Sequence, residues 1–373
     1  MAIKSFYIKE SQLDPQQRDI VDRRLDLHLV VTGGAGSGKS VLALWKAKAI
    51  QDQNESVLYV VKTVALTRFM KDGVSSVGLK PGSICSFNKC FYWSKNDDNE
   101  WVKGSWKLKN HYDYIILDEA TDLNESEVNE LIQHCTYFIS FGDNDQQLYS
   151  FKDTTTTIED IASELDMNDS IDYLLYNHRL PKKIAKLVVY AHPSIVPDSL
   201  EAQTFVTRCT SEGPELPHIF KFQDEESQYD EIIKIVKNKN GGLKDVGILF
   251  RDRESMRRAY NYFTTHDMPV SMVTDSQFIG QPFESDAPKL MTYHGSKGLQ
   301  FEAVFIPNCP DSYDLAPLYV ALTRTYAFLY IMHTGRRPST FSDVPELLYD
   351  TNNGTTPRRF TFSQAENKTE NPF

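Results

Sequence analysis

The stretch VVTGGAGSGKS, residues 30 to 40, constrains this chain more than any other. It fits the spacing G-x-x-x-x-G-K-[ST], with Gly33, Gly38, Lys39 and Ser40 at the fixed places. The run LHLVV ahead of it reads as a short buried strand. VLALWKAKAIQ after it sets Val41, Leu44, Trp45 and Lys48 at helical spacing. Strand, glycine loop and helix in that order make a phosphate cradle. Backbone N–H groups of Gly33, Gly34, Ala35, Gly36, Ser37 and Gly38 turn toward the anion, and the helix N-terminus adds its dipole. In such a cradle Lys39 reaches the β- and γ-phosphates of ATP and Ser40 ligates Mg2+. The expected fold class is α/β with mainly parallel sheets, whose strand ends face one crevice.

A second apolar run, YDYIILDEA, ends in Asp118-Glu119. At the end of a buried strand in such a protein, Asp118 holds the Mg2+ shell and Glu119 polarises the attacking water. A third run, LIQHCTYFISF, is expected to be a strand between Leu131 and Phe141, turning at Gly142-Asp143. The residues beyond it read NDQQLYSF. Glutamine is a poor general base, but its amide accepts from one group while donating to another, which suits a sensor. Gln146 or Gln147 is thereby placed near the γ-phosphate, with Tyr149 and Phe151 pointing onward. No guanine-reading N-K-x-D is found, which argues against a GTPase, and nothing suggests the substrate lid of a small-molecule kinase.

With these residues in view, the chain resembles superfamily 1 helicases of the UvrD/Rep/PcrA type, motif by motif and in order. LDPQQRDIV resembles the Q-motif and implies Gln17 on the adenine. DEATDL resembles motif II and GDNDQQLY motif III, with Gln146 as phosphate sensor. YNHRL resembles the segment opening a second RecA-like domain and supplies Arg179. MTYHGSKGLQFEAVFI resembles motif V, and YVALTRT motif VI, which supplies Arg324. The resemblance implies two RecA-like domains, ATP and Mg2+ as cofactors, and single-stranded DNA as partner, with RNA left open and 3′ to 5′ polarity. It also implies strand contacts at Thr63, Phe87, Tyr149, Phe151, Thr292 and His294. Charge on a transferring phosphoryl group calls for cations from outside the loop, and arginine fingers typically contribute roughly 10³ to 10⁵ in rate. Arg179 and Arg324 suit that task if the cleft closes.

The chain also departs from the pattern. Motif V has Gln300 where a ribose-contacting Glu is usual, and a neutral amide bonds a hydroxyl more weakly than a carboxylate does. Thr63 stands without the usual T-N-x-A-A, Cys85 replaces a His, and Phe151-Lys152 replaces Trp-Arg. The expected organisation is a first domain over 1–175, a second over 176–345, and a polar, flexible tail over 346–373. Only short intervals separate Thr63 from Asp118 and Arg251 from Thr292, too short for the large accessory domains of the relatives. An insert at 88–110 interleaves Phe91, Tyr92, Trp93, Trp101 and Trp106 with lysines. That pattern fits base stacking on single strands, or a two-stranded hairpin packing its own aromatics or lying against a partner protein.

A net charge of −11 excludes a protein that coats nucleic acid by overall positive charge, while leaving room for a local basic groove. There is no signal-peptide core and no apolar run long enough to span a bilayer, so a cytoplasmic chain without membrane contact is expected. The five cysteines form no C-x-x-C pair, and reduced, mostly core thiols are expected. The histidines show no metal spacing; His178 is read as structural. Two functions compete. One is an ATP-driven helicase or translocase, and the other an ATP-operated regulatory subunit acting on a partner such as a nuclease.

Overall fold

The computed structural model describes residues 9–80, 82–147, 156–239, 242–274, 277–311 and 315–352. Its strands and helices, in chain order, build two sheets. The first half of the chain runs α1 (Pro15–Asp22), β1 (Leu29–Gly33), α2 (Lys39–Asp52), β2 (Val57–Val61), α3 (Val64–Val77), β3 (Ile84–Ser86), β4 (Phe91–Lys95), β5 (Trp101–Trp106), β6 (Tyr112–Asp118), α4 (Glu125–Ile132), β7 (Cys135–Gly142), α5 (Ile158–Glu164) and β8 (Ile171–Leu174). Helices α6 (Lys182–Val188) and α7 (Leu200–Thr207) follow. The remainder runs β9 (His218–Phe222), α8 (Glu225–Asn238), β10 (Val246–Phe250), α9 (Arg253–Thr265), β11 (Ser271–Val273), β12 (Phe278–Gly280), β13 (Lys289–Thr292), β14 (Phe301–Ile306), α10 (Leu315–Leu322), β15 (Thr325–Thr334) and β16 (Asp350–Thr351).

The first sheet has the order β3-β2-β6-β7-β1-β8 and is parallel throughout. The second has the order β12-β11-β13-β10-β14-β15-β9-β16 and is parallel except where β12 joins β11. The fold class is therefore α/β with mainly parallel sheets. Parallel strands covered by helices on both faces must be apolar throughout. Val57–Val61 and Val246–Phe250 are buried at every position for that reason. Within β2 the side chains alternate: Val57, Tyr59 and Val61 join one core cluster, while Leu58 and Val60 join another with Phe138 and Ile161. The cluster holding Tyr59 continues through Leu180, Ile184 and Leu322 to Leu249, Val304 and Ile331 of the second sheet, so the two sheets share one apolar core.

Two boundaries differ from expectation. Leu131 lies in the last turn of α4, and strand pairing begins at Cys135; the capping pair Asn124 and Glu127 nucleates a helix ahead of the strand. The first residues of the tail expected over 346–373 are structured instead. Glu346–Leu348 forms a 3-10 turn, Tyr349 is buried, and Asp350–Thr351 adds an edge strand to β9. Between Thr63 and Asp118 the described residues hold α3, β3 and the hairpin β4-β5. There Phe91 and Trp106 turn inward while Tyr92, Trp93 and Trp101 stay exposed.

Candidate nucleotide site

The C-terminal ends of β1 and β6 bring the phosphate loop and Asp118-Glu119 together, as a parallel sheet does for every strand end on one edge. Facing them are residues at the start of β14 and β15 in the second sheet. A cavity of about 410 Å3 lies between, lined among others by Gln17, Lys39, Glu119, Arg179, Gln300 and Arg324.

Local sequence explains the loop. Gly36 has φ +80°, and a Cβ there would meet Asn177 Oδ1 at 2.4 Å and Arg179 Cβ at 2.8 Å; Gly38, the N-cap of α2, has φ +95°. Both positions need glycine for conformation and Gly36 also for space. The close approach lets His178 donate its backbone N–H to Gly36 O at 2.9 Å, docking the Asn177–Arg179 segment on the loop. Lys39 points back into its own loop, donating to Gly33 O and to Gly34 O at 3.2 Å, with Asp143 at 3.9 Å. Gly34, Ala35 and Ser37 line a neighbouring cavity of about 440 Å3.

Asp118 is fully buried, accepts from Tyr59 Oη at 2.8 Å and is bonded to the Ser40 hydroxyl. Burial, and then the neighbouring Glu119, push its carboxyl up to about 6. Ser40 and Asp118 thus meet where a divalent cation would need them, and a cation there would relieve this crowding of negative charge. Glu119 sits at φ +54°, a left-handed conformation that costs a non-glycine residue free energy and recurs at functional sites. Burial opposes its ionisation, but Lys297, Lys39, Arg324 and Arg179 together hold its carboxyl below the usual range. Its Oε2 makes no hydrogen bond among the described residues.

The cations converge from the far side. Arg324 is buried, donating from Nε to Val320 O at 2.7 Å and from Nη2 to Gln146 Oε1 at 2.5 Å. The Gln146 amide donates in turn to Asp143 Oδ2 at 2.5 Å. Gln147 turns away to Thr156 O. Arg179 differs: its Nε and Nη2 are shielded from solvent and have no hydrogen-bond partner among the described residues. Burial, followed by the charge of Arg324, lowers its pKa well below normal. Two orphaned guanidinium donors beside a phosphate loop fit an anionic group carrying several oxygens, since arginine bonds phosphate in a bidentate fork. The residues present thus suit a nucleotide triphosphate with Mg2+.

Sequence reasoning missed Lys297. This fully buried lysine donates to Asp122 Oδ1 at 2.7 Å and to Gln146 O at 2.8 Å, and lies 3.6 Å from Glu119 Oε2. Burial alone would depress its pKa, but Asp122 and Glu119 raise it instead. Its signal was the lysine of KGLQF, between a 3-10 turn and β14. His178, read as structural, lines the cavity and bonds Asp14 Oδ2 at 2.8 Å.

Gln17 lines the cavity with its amide engaged at both ends: Oε1 accepts from Asp14 N, and Nε2 donates to Ser37 O at 3.0 Å. Here it braces the loop. The strand-contact candidates fare unevenly. Phe87 is buried, 5.0 Å from the Phe91 ring centroid, because the 3-10 turn after β3 aims it into the core. The Thr63 hydroxyl caps α3 by accepting from Leu66 N, and Thr292 Oγ1 accepts from Gly295 N. His294 is half-buried in the 3-10 turn that follows β13. Tyr149 and Phe151 lie outside the described residues.

Residues 17–152 match a family described as AAA domain. A probable DNA helicase II homolog from Mycoplasma pneumoniae is 28% identical over 166 residues, which cover 40% of this chain and 22% of that protein. Among solved structures, an arterivirus nonstructural protein 10 (helicase) aligns with TM-score 0.42 and 14% identity over 85% of this chain and 61% of that one. The PRRSV helicase aligns with TM-score 0.43 and 13% identity over 88% and 56%. The chain spans only part of each of these proteins. The family match lies on the phosphate-loop side of the chain.

Proposed function

We propose that the chain is an ATP-driven helicase or translocase acting on single-stranded nucleic acid, with DNA favoured and 3′ to 5′ movement carried over from the family resemblance. The observation that carries this reading is the pair of orphaned Arg179 donors facing the phosphate loop across a cleft closed by Gln146–Arg324 and Lys297–Asp122. The two halves, divided near residue 175, each contribute to one catalytic set. Lys39 holds the β- and γ-phosphates, Ser40 and Asp118 hold Mg2+, and Gln300 faces the sugar. Mg2+ neutralises charge on the phosphate oxygens. Glu119, kept ionised by four surrounding cations, takes the proton of the attacking water, while Arg179 and Arg324 stabilise transition-state charge. Gln146 links the sensor segment to Arg324, so a change at the phosphate is felt on both sides of the cleft.

A second reading, an ATP-operated switch on a protein partner such as a nuclease, is favoured by the burial of Phe87 and the capping role of Thr63, which leave fewer free strand contacts. ATP turnover measured with and without single-stranded DNA and RNA separates the two. Stimulation by a strand, abolished to within background in Glu119→Gln, supports the motor; a general base contributes roughly 10² to 10⁴ in rate. Turnover indifferent to every strand supports the switch.

A further inference from the structure

We propose that Cys85 and Cys90 form an oxidisable dithiol, closed to a disulfide by hydroperoxides and reopened by low-molecular-weight thiols. Their Sγ atoms stand 3.3 Å apart. A disulfide needs about 2.05 Å, so closure requires a shift of little more than an ångström. The surroundings permit it. Cys85 lies in β3, the outermost strand of the first sheet, and Cys90 ends the 3-10 turn that follows, so the movement disturbs no interior strand.

The pair also differs chemically from the other thiols. The two thiols share a hydrogen bond, which with Lys89 and Lys107 lowers the Cys85 pKa against the effect of burial, while the same bond and burial raise that of Cys90. Burial pushes Cys135 and Cys209 up to about 12, and Cys309 still higher. Cys85 is half-buried, whereas Cys90 is fully enclosed. An accessible, more acidic thiol beside a buried one is the arrangement of an attacking and a resolving cysteine.

The steps balance. The Cys85 thiolate attacks one peroxide oxygen; an S–O bond forms, the O–O bond breaks, and the leaving hydroxide takes a proton to become water. Cys90 then loses its proton to the sulfenic oxygen and displaces it; the S–S bond forms, the S–O bond breaks, and a second water leaves. Two thiols are oxidised by two electrons and the peroxide is reduced. The resulting ring includes Phe87 and sits at the root of the hairpin, where Lys107 N donates to Cys90 O at 3.0 Å. Oxidation therefore fixes the joint between sheet and hairpin.

The test uses the full reduced chain, hydrogen peroxide as the probe, and alkylation after denaturation. Five alkylatable thiols should fall to three, with loss at Cys85 at least about tenfold faster than at Cys135. Trypsin cleaves after Lys89, between the two cysteines, so the bond appears as a joined peptide pair that a phosphine reductant separates. Cys90→Ser should stop at a Cys85 sulfenic acid trapped by dimedone. Retention of all five thiols, loss at Cys135, Cys209 or Cys309 at an equal rate, or direct passage of Cys85 to sulfinic acid in the unsubstituted chain overturns the proposal. None of these readouts depends on ATP turnover, so the fate of the nucleotide reading leaves them intact.

Discussion

Arg179 shows how a side chain can be unfavourable for the empty protein and yet suited to the nucleotide-bound state proposed above. An ionised guanidinium whose Nε and Nη2 are shielded from water and without partners carries an uncompensated desolvation cost at those atoms. Replacement by a flexible apolar chain of similar length removes that cost. Arg179→Met is therefore expected to melt at the same or a higher temperature than the parent when nucleotide-free, to lose much of the stabilisation conferred by MgATP, and to turn over roughly 10²- to 10³-fold more slowly, the usual loss for one transition-state donor. Thermal melts with and without MgATP, set beside steady-state rates, check it. A nucleotide-free protein strongly destabilised by the change would mean that the guanidinium is bonded in the resting protein. Lys297 belongs to the opposite class, since its charge is already matched by Asp122 and Glu119.

Among the elements, the hairpin β4-β5 is the least explained by packing. Phe91 and Trp106 anchor it, yet Tyr92 is 60% and Trp101 66% exposed, and Lys95 lies 5.5 Å from the Trp101 ring centroid. Stacked bases contribute about 1–3 kcal/mol each when an aromatic platform is present. The double change Tyr92→Ala, Trp101→Ala should weaken single-strand affinity by that order while leaving strand-free ATP turnover unchanged, as measured by fluorescence anisotropy and phosphate release. Unaltered strand affinity would assign the hairpin to a protein partner. The elements themselves were largely legible from sequence where glycines, caps and apolar runs agree, as in β1, α2 and β6. What sequence could not show was contact across the cleft. Nothing local to Lys297 announces Asp122, and nothing in the sequence around Cys85 announces that it meets Cys90, because both pairings depend on how distant or turning backbone folds back. Phe87 was misjudged for the same reason: exposure is a property of the 3-10 turn that carries it. Gln17 was expected on the adenine, whereas its amide bonds Asp14 and Ser37, partners that emerge only once Asp14 caps α1.

The whole molecule joins two sheets through a single apolar cluster running from Tyr59 past Leu180 and Leu322 to Ile331. Polar ties reinforce it at the cleft, with Lys297 and Arg324 of the second half bonded to Asp122 and Gln146 of the first. Separate domains on a linker would melt one after the other. A chain whose interior is held in common has no such seam, and neither half can unfold without stripping cover from the other. Calorimetry should accordingly record one endotherm with matching calorimetric and van't Hoff enthalpies, and MgATP should move that peak upward as a unit. Two resolved peaks would mean that the shared interior does not couple the halves. Any opening of the cleft during turnover must then proceed by small sliding of packed side chains over one another, a shear, with the two halves never parting as free bodies.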